Sequence, residues 1–205
     1  MDIQQIKSAG LSRKVSHITN IRMPEISWDE ILTILNDDLI AGEKLGQKRF
    51  TDYGFNVGNV ERIPQISSFK ALLGTVFGFH ETRPQDFAPS AYISLTTQLG
   101  SYGKPHMDPE GVIYWQAKGS TRWDIYNSEE CVVDYTSPRY ELTKHGESNA
   151  SYILREGDLL YLPPKTCHQV TPLSPRFGIS FSVGDVIDIT DEDTLFQETF
   201  DNNII

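Results

Sequence analysis

Apolar positions change period part-way along the chain. Near the start, Trp28, Ile31, Leu32, Leu35 and Leu39 recur at the three- and four-residue spacing of a helix that buries one face. Ser27-Trp28-Asp29-Glu30 precedes them in the Ser-x-x-Glu form of a capping box, in which serine hydroxyl and glutamate carboxylate satisfy orphan amides at a helix start. The pattern predicts a helix over 28–39. Residues 50–64, rich in Gly, Asn and aromatics, read as loop or short strand. From Pro64 onward, Ile66, Phe69, Leu72, Leu73, Val76 and Phe77 predict a second helix, with Gly78 as its stop. After Pro89 the period falls to two. Residues 91–97 set Tyr92, Ser94 and Thr96 on one face against Ile93, Leu95 and Thr97 on the other. Strand-like runs follow at 112–117, 121–127, 131–135, 151–156, 158–162 and 176–183, separated by turn signals such as Lys118-Gly119-Ser120 and Glu156-Gly157-Asp158. Many short strands at this pitch predict an antiparallel barrel or jelly roll, mainly β, behind a helical N-terminal segment.

Composition fits one domain of this kind. The 205 residues are 39% hydrophobic and 11% aromatic, enough for a single core. Cys131 and Cys167 do not make a disulfide framework or a C-x-x-C site, and read as free thiols. No apolar run is long enough for a membrane helix, and the first residues lack the layout of a signal peptide, so the expected location is cytoplasmic. The net charge of −10 speaks against a general grip on nucleic acid. That charge is unevenly spread. Seven of the 28 acids lie in 184–205, which has no Lys or Arg, so the rest of the chain carries 21 acids against 18 bases. The tail reads as a solvated end, although Leu195, Phe196, Phe200, Ile204 and Ile205 would let it dock on the body or on a second subunit of a homodimer.

The candidate chemistry lies in the β-rich part. In His106-Met107-Asp108 an extended backbone points the imidazole and the carboxylate to the same side. His168 follows several strands later, and a barrel can bring it opposite that pair. Two histidines and one carboxylate on one face of a metal form the ligand set of non-haem Fe(II) oxygenases, with positions left open for other ligands. A lone His-x-Asp more often marks a hydrogen-bonded turn than a metal site, so the context of the motif matters.

That context is a resemblance. Pro105-His106-Met107-Asp108, the hairpin Trp115 to Trp123, the run from Gly157 through Pro163-Pro164 to His168, and Ser180-Phe181-Ser182-Val183-Gly184 together resemble the JmjC and cupin-like Fe(II)/2-oxoglutarate oxygenases. The similarity is greatest to the ribosomal-oxygenase and asparaginyl-hydroxylase branches. It implies a cupin-like double-stranded β-helix over 90–184, packed on an N-terminal segment at 1–89 and followed by the acidic tail at 185–205, all as one structural domain. It also implies that His106, Asp108 and His168 hold Fe(II), that 2-oxoglutarate and O2 are cosubstrates, and that the reaction hydroxylates a C–H bond.

The cosubstrate pocket transfers less directly. Relatives place a Lys or Arg where this chain has Ser120 and Thr121; Arg122 would alternate to the opposite face, and Lys118 sits at the turn. Arg176 resembles the arginine that follows the distal histidine in prolyl-hydroxylase-type oxygenases, and its planar fork suits a carboxylate. Thr121, Tyr92 and Ser94 are candidate hydroxyl donors, with Thr96 a further one. Gln116 is a candidate for orienting the substrate or a pocket residue. Trp115 and Trp123 read as barrel filling, Cys167 as a small apolar filler, and His17, His80 and His145 as exposed or hydrogen-bonded. The expected substrate is a side chain of a protein or peptide, with Glu110 and Asp124 near the motif suiting a cationic target. A free amino acid or small metabolite is the second substrate class. A cupin metalloenzyme that does not use 2-oxoglutarate and a non-catalytic binding module stay open beside it. With the chain ending soon after the barrel, substrate recognition is expected from the N-terminal segment, the barrel-mouth loops, the tail or a partner.

Overall fold

Each Ser27–Glu30 group answers the other: Glu30 N donates to Ser27 Oγ (3.2 Å), and Ser27 N donates to Glu30 Oε2 (2.7 Å). That reciprocal cap begins helix α2, Trp28–Lys44, in a computed structural model that describes residues 3–19, 21–44, 50–51, 54–57, 60–77, 89–97, 103–137 and 140–183. The second predicted helix is α3, Pro64–Phe77, with proline at its first turn, where no amide partner is lost. A further helix, α1, spans Ile3–Ser12. Its apolar stripe is thin, but Ile6 and Ala9 are buried in the core shared with α3. Gly78, His80 and 184–205 lie outside the described residues.

The strands form two facing sheets. One has seven strands in the order β1-β11-β6-β13-β4-β3-β2: β1 (Ser16–Ile18), β2 (Phe50–Thr51), β3 (Gly54–Val57), β4 (Pro89–Ser94), β6 (Val112–Lys118), β11 (Leu159–Leu162) and β13 (Arg176–Ser182). The other has four in the order β10-β7-β12-β5: β5 (His106–Met107), β7 (Thr121–Tyr126), β10 (Ser148–Leu154) and β12 (Cys167–Pro172). A short pair, β8 (Val132–Val133) with β9 (Leu142–Lys144), lies beside β5, joined to it by the His106–Glu141 bridge and by Met107 N donating to the Tyr140 carbonyl and Leu142 N to the Pro105 carbonyl. The pairings within both sheets are antiparallel. This is the expected mainly β, cupin-like double-stranded β-helix with an N-terminal helical segment.

Period-two alternation divides each central strand between two cores. On β6, Ile113, Trp115 and Ala117 join Leu159 and Tyr161 of β11 and Phe177, Ile179 and Phe181 of β13 in a layer beneath the helices. Phe69 of α3 meets Trp115 and Phe181 there edge-to-face, at 5.5 and 5.2 Å between ring centroids. The opposite faces of the same strands line the barrel, where Val112, Tyr114, Leu160 and Leu162 pack with Trp123, Ile125 and Val170. Buried on both faces, β6 reads in sequence as a continuous apolar run. Trp115 therefore corrects an expectation: it seals the helix layer and does not fill the barrel. β4 also ends earlier than the alternation suggests, which leaves Leu95, Thr96 and Thr97 exposed beyond it.

Candidate metal and anion site

β5 and β12 are neighbours in register, with His106 directly opposite His168. Their rings lie 4.3 Å apart between centroids. Asp108 follows one residue after β5 and turns back to both, with Oδ1 3.9 Å from His106 Nε2 and Oδ2 3.7 Å from His168 Nε2. Donor atoms of all three residues fall within 4.8 Å of one another. Backbone contacts fix their direction. His106 Nδ1 lies 2.8 Å from the Lys104 carbonyl, and His168 Nδ1 lies 2.8 Å from the Thr166 carbonyl. A carbonyl only accepts, so each Nδ1 carries the proton, and a neutral ring then turns the Nε2 lone pair inward. Lys165 N donates to the Asp108 carbonyl at 2.8 Å and anchors the carboxylate's backbone to the turn before β12.

The same triangle decides what fits. Contacts of 3.7 and 3.9 Å are too long for hydrogen bonds, and they leave room for an ion roughly 2 Å from each donor. His168 is fully buried, and burial, reinforced by the His106 charge, pulls its pKa down to about 4. It is therefore neutral at physiological pH, the form that binds metal. Two imidazoles and a carboxylate on one side, with the other side open, suit an octahedral divalent iron.

A cavity of about 400 Å³, counted to its open mouth, runs inward from the triad past Trp123, Tyr92 and Ser180 to Tyr114 and Arg176. Arg176 begins β13, is 5% exposed, and has no carboxylate partner among the described residues. Its Nε donates to Ser94 Oγ (3.1 Å) and one terminal nitrogen to Tyr114 Oη (2.9 Å). Both partners are neutral, so among the described residues nothing compensates this buried charge, a costly arrangement unless an anion enters. Burial pushes the Tyr114 phenol up from its ordinary pKa while the Arg176 charge opposes it, so Tyr114 stays a neutral hydroxyl.

The candidate donors sort by position. Tyr92 lines the cavity. Ser94 instead sits opposite Arg176 on β4 and holds it. Thr121 is fully buried behind the wall, bonded to Gln116 Oε1 at 2.7 Å, and reaches a ligand only through other residues. Thr96 is exposed past the end of β4. Lys118 closes on Glu156 (2.6 Å) and Glu25 (3.6 Å), and Arg122 is exposed and bonds Asp124 at 2.9 Å, so neither serves the pocket. Asp124 is itself buried and also takes the Ser151 hydroxyl at 2.5 Å, which removes it as a contact for a cationic substrate. Glu110 remains exposed and accepts from Ser182 (3.0 Å). Trp123 stacks on His168 at 5.3 Å. Tyr114 and Ser180 also line the cavity, a role beyond those expected from the sequence; the signal for Tyr114 is alternation, since it shares the barrel face with Gln116, opposite Trp115.

The remaining candidates lie elsewhere. His17 bonds Asp158 (3.1 Å), and the His145 ring rests against Tyr126. Cys167 packs with Met107 and Tyr126 on the outer side of the four-stranded sheet, with Cys131 against them. Burial first, then the neighbouring Cys167, pushes the Cys131 thiol up to about 12, so it is no nucleophile at neutral pH.

Fold and donor set together define a cupin-like double-stranded β-helix carrying a two-histidine, one-carboxylate centre. The chain belongs to the JmjC domain family, whose profile matches residues 82–192. It is 26% identical over 169 residues to Ribosomal oxygenase 1 of Danio rerio, covering 69% of this chain and 29% of that protein. Over 89 residues it is 32% identical to Ribosomal oxygenase 2 of Mus musculus, covering 42% of this chain and 19% of the relative. The solved structure of Escherichia coli YcfD aligns with a TM-score of 0.52 at 17% identity, over 94% of this chain and 56% of that one. A second YcfD structure, described as a ribosomal oxygenase in complex with cobalt and succinic acid, aligns at 0.51 and 15% identity, over 82% of this chain and 47% of that one. The chain thus spans less than a third of the length of these curated relatives and about half of the YcfD chain.

Proposed function

We propose that the protein is an Fe(II)- and 2-oxoglutarate-dependent oxygenase that hydroxylates a C–H bond on a protein or peptide side chain. One observation carries the reading: a single cavity joins an inward-facing His-Asp-His donor set to a buried guanidinium with no acid beside it among the described residues. His106, Asp108 and His168 would hold Fe(II), which when bound supplies the redox chemistry that couples conversion of 2-oxoglutarate and O2 to succinate and CO2 with insertion of one oxygen atom into the substrate bond. The chain's own contribution is positional. Arg176 takes the far carboxylate of 2-oxoglutarate in a bidentate fork while Ser94 and Tyr114 fix the plane of that fork. Val112, Trp123 and Val170 line the passage between the two ends and keep it dry. The names of the ribosomal-oxygenase relatives support a protein substrate.

Purified protein incubated with Fe(II), ascorbate and 2-oxoglutarate is expected to form succinate and to bind 2-oxoglutarate only when metal is present; absence of both would refute the reading. Asp108→Ala should lower metal affinity by more than the roughly 10–100-fold typical of an outer-sphere change, because it removes a donor outright. Arg176→Ala should weaken 2-oxoglutarate while sparing metal binding, both read by calorimetry. A peptide-library screen for a mass gain of one oxygen identifies the substrate.

A further inference from the structure

Behind the cavity wall, a chain of buried hydrogen bonds connects the guanidinium end to the metal end. Arg176 donates to Tyr114 Oη (2.9 Å), and Tyr114 donates to Gln116 Oε1 (3.3 Å). Thr121 Oγ1 donates to the same oxygen (2.7 Å) and accepts from Trp123 Nε1 (3.1 Å), whose ring lies nearly parallel to His168. Gln116 Nε2 in turn donates to the Lys118 carbonyl at 2.6 Å. Gln116 and Thr121 are fully buried, and Tyr114 and Trp123 are 1% and 4% exposed.

The donor inventory leaves one direction for each proton. The Lys118 carbonyl only accepts, so the Gln116 amide nitrogen must face it, and Oε1 must face the two hydroxyls. The Trp123 indole only donates, so Thr121 spends its own proton on Gln116. Guanidinium only donates, so Tyr114 offers Arg176 a lone pair and sends its proton to Gln116 as well. Gln116 is where both hydroxyl protons converge. With the phenol proton held there, the Tyr114 lone pair stays on one arm of Arg176, whose guanidinium lines the cavity.

We infer that Gln116 is a positioning residue: by accepting the Tyr114 and Thr121 protons it locks the orientation of Arg176 for a carboxylate ligand, while touching neither that ligand nor the metal. The inference rests on the reading that Arg176 anchors 2-oxoglutarate, and the experiment separates the two. Calorimetry on full-length protein loaded with Mn(II) measures 2-oxoglutarate affinity, and a separate titration measures Mn(II) affinity. Gln116→Leu is expected to weaken 2-oxoglutarate roughly three- to tenfold, the effect of one net hydrogen bond, with Mn(II) affinity unchanged. Tyr114→Phe should weaken it at least as much, and in that background Gln116→Leu should add nothing, because the effect passes through the phenol. A merely structural role would add its cost in both backgrounds. If Gln116→Leu does not fold, Gln116→Met fills the volume without the acceptor. Wild-type 2-oxoglutarate affinity in Tyr114→Phe, or a further loss in the double variant, overturns the inference. If Arg176→Ala also binds 2-oxoglutarate normally, the anchor reading falls and the inference with it; if only Arg176→Ala is impaired, the inference alone falls.

Discussion

Gly178 shows how little freedom the anion end has. A Cβ built there would collide with the Tyr114 hydroxyl and ring, so the absence of a side chain makes space for the phenol that holds Arg176. Gly178→Ala should displace Tyr114 and weaken 2-oxoglutarate binding more than it lowers the melting temperature; normal affinity would mean that Tyr114 has an alternative seat. At the metal end, His168 is held at about 4 in the fold against an ordinary 6.5, mainly by burial. Between those values the unfolded chain binds the extra proton, so stability of the metal-free protein is full above about 6.5 and declines as pH falls toward 4. Denaturant unfolding without metal should show this decline, and His168→Gln should flatten it. Identical slopes would place the acid sensitivity elsewhere. The triad was legible from residue type and strand spacing, whereas the roles of Ser94, Thr121 and Tyr114 were not. Those depend on which neighbour a buried hydroxyl meets across the barrel, and period-two alternation states a face without stating the partner.

At the level of elements, the β6–β7 hairpin sets the geometry of the wall. Gly119 turns it with φ of 71°, and a Cβ there would strike the Pro175 carbonyl and the Ser174 hydroxyl in the turn before Arg176. Gly119→Ala should therefore destabilise the protein by more than about 1 kcal/mol, measured by urea unfolding, since it combines backbone strain with a steric clash. A neutral result would mean that the β12–β13 turn can move aside. Elements with their own punctuation were readable: the capping box announced α2, Pro64 began α3, and the Gly119 turn separated β6 from β7. Elements defined by tertiary contact were not. α1 has only a thin apolar stripe and forms where Ile6 and Ala9 meet the shared core. β5 is two residues long and is held from both edges, by β12 on one and by residues 140–142 on the other, while β12 hides behind Pro163-Pro164 and alternates Gln169 and Thr171 with Val170. Residues 131–135 do contain a strand, but only Val132–Val133, paired with β9 at the outer edge of β5.

For the whole molecule, the decisive feature is that the site and the helices share the same strands. Tyr114 faces the cavity and Trp115 faces α3; Arg176 and Ser180 face the cavity, while Phe177, Ile179 and Phe181 face the helices. Any loosening of the helix layer is therefore transmitted to the walls of the pocket through one peptide unit. Phe69, 1% exposed and edge-on to both Trp115 and Phe181, joins the layers together with Ile66, Leu73 and Val76 of the same helix. Phe69→Ala should cost ~3–5 kcal/mol, the range for emptying a buried aromatic site. Because the barrel strands have no other cover for that face among the described residues, the loss should appear as a lower midpoint of one unfolding transition, with fluorescence and far-ultraviolet dichroism coinciding. Separate transitions for helices and barrel would show instead that the lead-in and the barrel are independent units. With a single transition, substitutions in the helix layer against Trp115 and Phe181 should also shift 2-oxoglutarate affinity at Arg176, measured by calorimetry; unchanged affinity would mean that the shared strands insulate the pocket from the helices.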